Sequence, residues 1–209
     1  MEEGKISVKL LSCTPNPEKV IATAMRQSRY SESVGKLDLN ETEIKHLLNL
    51  AITLGHLSVF EHAFFTFAIS GISRSCSHQF VRHRLFSFTQ QSQRYVKLKN
   101  KDAFVVPPSI EANKDALQIY EEELQNIFNT YQKLLSMKVP EEDARFILPN
   151  ATETKIVATA NARELMHFFK LRLDKDAQWE IRALAQKMFA LVSDIAPDIF
   201  NEENLDKFE

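Results

Sequence analysis

The stretch from Gln79 to Tyr95 reads Gln-Phe-Val-Arg-His-Arg-Leu-Phe-Ser-Phe-Thr-Gln-Gln-Ser-Gln-Arg-Tyr, an inventory suited to holding anions. It contains Arg82, Arg84 and Arg94, His83, the glutamines 79, 90, 91 and 93, Ser87, Thr89 and Ser92, and no carboxylate. Arginine presents a planar fork of donors that matches a phosphate bidentately and stays charged at any accessible pH. Glutamine and serine add neutral donors that orient a ligand without adding charge. In an extended or turning segment Arg82 and Arg84 face apart and can serve two different anions. The chemistry implied is recognition of phosphorylated ligands.

The charge distribution of the 209 residues points the same way: 26 Lys and Arg against 28 Asp and Glu give a net −2 that hides a segregation. Between His62 and Lys101 there is no acid, while Arg74, Arg82, Arg84, Arg94, Lys97, Lys99 and Lys101 supply +7, leaving 19 basic against 28 acidic residues, or −9, elsewhere. Such an island is either an anion site or a solvated basic face, whereas nucleic-acid binders are more often basic overall. Phe80, Phe86, Phe88 and Tyr95 interleave with the cations. A non-catalytic module that stacks single-stranded nucleic acid on segment 62–101 is therefore the competing reading. The four glycines, Gly4, Gly35, Gly55 and Gly71, are too scattered for a dinucleotide fingerprint or a P-loop. Cys13 and Cys76 are too few for a disulfide framework, no signal segment opens the chain, and no apolar run reaches the roughly 20 residues of a membrane span, so a cytoplasmic protein is expected.

Around this segment the chain reads as α+β: a helix-rich single domain, 1–209, with a small central, mostly antiparallel sheet. Lys5 to Leu11 reads as a first strand, and Asn16-Pro17 as the cap and first position of a helix running to about Ser28. Asn40 and Glu43 form a capping box for a second helix that closes at Gly55. Phe64 to Ile72 is a strand, with Lys155 to Thr159 and Gln93 to Leu98 as candidate partners. A long amphipathic helix spans Ser109 to Met137, and Pro140 opens a short one carrying Arg145. Asn161 caps Ala162 to Leu173, and a last helix covers about Asp176 to Val192.

Arg82-His83-Arg84, seven residues and then Ser92 resembles the signature of the flavin-dependent thymidylate synthases. The resemblance extends over ordered blocks from 55 to 181: Gly55-His56, Phe60-Glu61-His62, Ala144-Arg145-Phe146-Ile147-Leu148-Pro149, Asn161-Ala162-Arg163-Glu164-Leu165, Arg172, and Ala177-Gln178-Trp179-Glu180-Ile181. The first fifty and last twenty-five residues add little to it. It implies methylation of dUMP to dTMP, with methylenetetrahydrofolate as carbon donor and NADPH as reductant through bound FAD, in a homotetramer whose sites are shared between subunits.

Carried over residue by residue, the resemblance implies a dUMP site of Gln79, Phe80, Val81 and Arg82, then Gln90, Gln91, Ser92, Gln93 and Arg94, with Arg145 arriving from another helix or subunit. It assigns FAD to His56, Ser58, Arg82, His83, Arg84, Gln90, Asn161, Ala162, Arg163 and His167. Arg172 is implied as the catalytic residue that activates the uracil; by position alone it is a helix C-terminal cation answering the macrodipole. A fixed cation beside the uracil carbonyls stabilises charge on N3 and O4 as C5 attacks. No enzyme nucleophile is implied. Cys76, two residues from His78, reads as a packing thiol, and Ser92 lacks the base a serine nucleophile requires. Gln90 stands where the family often has Glu, which removes a carboxylate base there. His167 lies among Met166, Phe168 and Phe169, where a histidine is ordinarily a satisfied core residue. His56 and His62 lack the i, i+4 spacing of helical zinc ligands, so no metal is expected.

Overall fold

A computed structural model of the chain describes residues 6–29, 31, 38–100 and 103–208. Lys101, the last cation of the basic island, and Lys5, the expected start of the first strand, lie outside them. Among the described residues, β1 (Ser7–Cys13), β2 (Phe64–Ser73), β3 (Ser87–Gln90) and β4 (Glu153–Asn161) form an antiparallel sheet ordered β1-β2-β4-β3. The helices are α1 (Pro17–Gln27), α2 (Glu41–Thr53), α3 (Arg74–Phe80), α4 (Pro108–Glu111), α5 (Lys114–Ser136), α6 (Glu141–Ala144), α7 (Ala162–Arg172), α8 (Trp179–Ser193) and α9 (Glu202–Leu205). The expected α+β class is what is found. Among the described residues no helix is long and apolar enough to cross a membrane.

Period-two alternation places Phe65, Phe67 and Ile69 of β2 and Ile156, Ala158 and Ala160 of β4 on one face, all buried. That face packs against the helices through an aromatic chain: Phe65 meets Phe200 at 5.9 Å, and Phe200 meets Phe169 at 5.8 Å. On the other face Thr66 and Thr159, in register, hydrogen-bond at 3.0 Å. The ladder shifts between Ile69 and Ile72, where Gly71 takes φ 75°; this bulge lets Ile72 and Ser73 both turn inward and leads straight into α3.

Local signals set several ends. Asn40 and Glu43 complete the capping box of α2. Gly55 at φ 65° closes that helix, its N–H donating to Ile52 O and that of His56 to Ala51 O. Asn161 Oδ1 accepts from Glu164 N at 2.9 Å and caps α7.

Four expectations need correction. Asn16 precedes α1 but adopts φ 48° and makes no side-chain cap. The segment expected as one helix over 109–137 breaks at Ala112 and Asn113, because the Asn113 side chain accepts from Asp115 N and Ala116 N and starts α5 afresh. Gln93–Leu98 is no strand: Tyr95 N and Val96 N both donate to Ser92 O, so the chain turns there. Its expected place beside the sheet is taken by β3, which pairs with β4 rather than β2. The last long helix starts at Trp179, later than Asp176, since Gln178 Oε1 accepts from Glu180 N and Ile181 N.

Candidate functional site

The turn after α3 is tight: His83 N donates to Phe80 O and Phe86 N to His83 O, both at 3.1 Å. It leaves Arg82 and Arg84 exposed and folds His83 inward. The His83 ring is held edge-on to Phe168 at 4.9 Å, and Phe80, Phe86, Phe88 and Phe168 pack around one another beneath it. Opposite this turn runs α7. Its residues Glu164, His167 and Leu171 recur at three- and four-residue spacing and so share a face. The two segments enclose a cavity of about 570 Å³, walled by Arg82, His83, Arg84 and Leu85 on one side and Arg163, Glu164, His167, Leu171 and Arg172 on the other.

Four arginines thus converge on one space that holds a single carboxylate, Glu164. Among the described residues Arg82 and Arg84 form no ion pair, which leaves their forks for an anion. Arg163 pairs with Glu61 of the 3-10 turn Leu57–His62. Arg172 Nε donates to His83 Nε2 at 3.1 Å, and His83 Nδ1 lies 3.6 Å from Glu164 Oε1. His167 is exposed on the cavity wall rather than in the core, because helical geometry turns it away from its buried neighbours Met166 and Phe168. At the start of α7, Ala162 N donates to Ala63 O and Glu164 N to Asn161, so two of the first-turn amides are already partnered. Ala162 and Phe80 are fully buried, main chain included, so neither of these two expected contacts presents a surface to a ligand in the single chain.

The remaining candidates gather elsewhere. Arg94 Nε donates to Glu142 Oε2 at 2.8 Å, Lys97 pairs with Glu141 at 2.8 Å, and Arg145 Nε donates to Glu142 O at 3.1 Å. The acid-free segment is therefore partly neutralised by α6, and the Glu142 hydrogen bond and charge raise the Arg94 guanidinium pKa further. Arg74, at the start of α3, is driven in the opposite direction, first by burial and then by the neighbouring charge of Arg145. Ser92 Oγ accepts from Arg94 N at 3.2 Å. Gln90 Nε2 donates to Ser77 Oγ and Thr154 Oγ1, and Gln90 and Gln91 line a second cavity of about 450 Å³ over the open face of the sheet. Gln79 is half-buried on α3, Val81 is exposed after it, and Gln93 is half-buried in the following turn. Around the 3-10 turn, Ser58 is exposed and His56 Nε2 lies 3.2 Å from Arg29 Nη2.

Two further sequence readings are decided by burial. The nucleic-acid alternative needed Phe80, Phe86 and Phe88 as a stacking platform; the Phe80 and Phe86 rings are buried and stack or edge against Phe88, leaving only Tyr95 of that set exposed. Cys76 is fully buried, and burial, reinforced by the charge of Glu180, pushes its thiol far above the range of a reactive thiolate. Sequence reasoning assigned no role to Glu164, Leu171, Leu85 or Arg74; the three-to-four spacing from Glu164 through His167 to Leu171 was the signal available for the first two.

Comparisons with known proteins identify the family and the fold. The family model described as thymidylate synthase complementing protein matches residues 9–198. The flavin-dependent thymidylate synthase of Geobacter sulfurreducens is 49% identical over 201 residues, covering 94% of this chain and 86% of that protein. The protein of the same name from Sulfurisphaera tokodaii is 47% identical over 198 residues, covering 93% and 76%. Among solved structures, the UMP/dUMP methylase PolB of Streptomyces cacaoi bound with 5-Br dUMP shares the fold, with a TM-score of 0.85 at 24% identity over 98% of this chain and 95% of that one. On the family match and the identity to these relatives, the chain belongs to the flavin-dependent thymidylate synthase family.

Proposed function

We propose that this enzyme reductively methylates dUMP to dTMP, with methylenetetrahydrofolate as carbon donor and NADPH as reductant acting through bound FAD. The observation that carries the reading is the convergence of Arg82, Arg84, Arg163 and Arg172, with His83 and His167, on one cavity. Family membership supports the flavin, and the donor set fits it: the guanidiniums of Arg82 and Arg84, in no ion pair among the described residues, suit a diphosphate, and Leu85 and Leu171 offer apolar wall to a flat ring. The residues that would hold FAD are His56, Ser58, Arg82, His83, Arg84, Gln90, Asn161, Ala162, Arg163 and His167. When bound, it would supply the reducing equivalents that complete the methyl group.

The chain's own residues supply binding and charge stabilisation. Arg172 is anchored by its Nε on His83, which frees its two terminal amino groups to stabilise negative charge on the uracil N3 and O4 while C5 attacks the one-carbon unit. No side chain attacks C6: Cys76 is buried with its thiol pKa raised, and Ser92 engages Arg94 N rather than a base. Gln79, Gln91, Ser92 and Gln93 orient the nucleotide with Val81, and Arg82, Arg94 and Arg145 meet its phosphate. Arg94 must leave Glu142 to do so; the two side chains are 53% and 48% exposed, so water screens the pair and the exchange is easy.

Gln90, Gln91, Arg94 and Arg145 do not line the arginine cavity. This split supports sites completed between subunits of a homotetramer. Sedimentation is expected to show an assembly larger than the 24.1 kDa chain, and full activity from a 24.1 kDa species would refute shared sites. The test of the function itself is direct. Flavin-loaded protein mixed with dUMP, methylenetetrahydrofolate and NADPH is expected to yield dTMP by mass spectrometry, and absence of product from flavin-replete protein would overturn the reading.

A further inference from the structure

Glu164 is a buried acid that the proposed chemistry does not use. It is 4% exposed, and it is the one carboxylate in the wall of a cavity lined by four arginines. An anion there opposes the binding of other anions, so ligand recognition does not explain it. An acid in the first turn of a helix favours the macrodipole, but that role is served equally well from solvent and gives no reason for burial. Its backbone position is set by the Asn161 cap on Glu164 N, which leaves the side chain directed to a partner other than its own helix end.

That partner is His83, itself 5% exposed and held by ring contacts to Phe168 at 4.9 Å, Phe86 at 6.2 Å and His167 at 6.1 Å. Arg172 Nε–H can only donate, so His83 Nε2, 3.1 Å away, must be the unprotonated ring nitrogen that accepts. The ring proton then sits on Nδ1, facing Glu164 Oε1 at 3.6 Å. At that separation the carboxylate acts as a charge beside the N–H dipole rather than through a short hydrogen bond. The opposite tautomer would set two donors against each other at Arg172 and leave the lone pair of Nδ1 facing an anion.

We infer that Glu164 is a positioning residue for Arg172: by holding His83 in its Nδ1–H form, it keeps Nε2 free to anchor the guanidinium. The logic is that of a buried acid setting the tautomer of a histidine that serves a third group. The inference rests on the reading of Arg172 as the residue that activates the uracil.

Flavin-loaded full-length protein with 15N-labelled histidine tests it. In the wild type the His83 ring is expected as the neutral Nδ1–H tautomer by NMR; an Nε2–H ring overturns the inference without any variant. Glu164→Ala is expected to shift the ring toward Nε2–H and to lower kcat by about ten- to a hundredfold, with flavin content and KM for dUMP within about twofold of wild type. Glu164→Gln, which keeps an acceptor oxygen, is expected to restore the tautomer and most of kcat. Unchanged kcat in Glu164→Ala, or a loss traced wholly to missing flavin or raised KM, overturns the positioning role. Near-normal turnover in Arg172→Lys would instead remove the assignment of Arg172; the tautomer spectrum, which needs no turnover, tells the two failures apart.

Discussion

Arg172→Lys is expected to lower kcat for dUMP by about 10²- to 10³-fold while leaving the fold and the bound flavin in place. Arg172 is the last residue of α7, where a cation of either kind would answer the helix dipole, so lysine preserves that structural role. What lysine lacks is geometry. Arginine spends Nε on His83 and still presents two amino groups in a fixed plane, whereas a lysine ammonium is a single point charge that either stays with His83 or reaches the uracil. The substitution therefore separates charge at the helix end from directed charge at the substrate. Rate of dTMP formation, with flavin content and circular dichroism measured on the same sample, checks it. Turnover within about threefold of wild type would remove Arg172 from the mechanism.

Glu180→Ala is expected to cost about 3 kcal/mol of stability, because it strands buried donors. Glu180 is 2% exposed; its Oε1 accepts from Ser73 N and its Oε2 from Ser73 Oγ, both at 2.6 Å, and Ser73 Oγ in turn accepts from Cys76 N at 3.0 Å. One carboxylate on α8 thus fixes the residue that ends β2 and caps α3, the helix that carries Gln79 and leads into the arginine turn. Its removal leaves a buried N–H and a buried hydroxyl without their acceptor. Thermal unfolding at fixed protein concentration should fall by about 6–12 °C for a chain of this size. Glu180→Gln, which retains one acceptor oxygen, should lose less. A drop below about 2 °C in Glu180→Ala would mean that the Ser73 junction does not depend on this acid.

Features governed by nearest neighbours were legible in the chain. The capping box of α2, its closure at Gly55, the Asn161 cap of α7 and the strand over Phe64 to Ile72, rich in aromatic and β-branched residues, each follow from residues within one turn or a few strand positions. The anion-reading inventory of 79–95 was legible for the same reason, since donor type and fixed charge belong to the side chains. Glu180 stood in a block that resembles the family, but nothing local showed its hold on Ser73, 107 positions away.

Contacts over long separations decided the rest. The four residues of β3 are too short to announce a strand until β4 pairs with them. Phe80 and Phe86 look the same in sequence whether they stack on bases or fill a core; their mutual packing with Phe168 buries them. Glu141 and Glu142 neutralise Lys97 and Arg94 from outside the acid-free segment, while Arg82 and Arg84 are left to a ligand. Composition and spacing thus specify which groups are available and where the capped helices α2 and α7 begin. Which of those groups meet one cavity, and which are taken by Glu142, Glu61 or His83, depends on burial and pairing that exist only once distant segments have packed together.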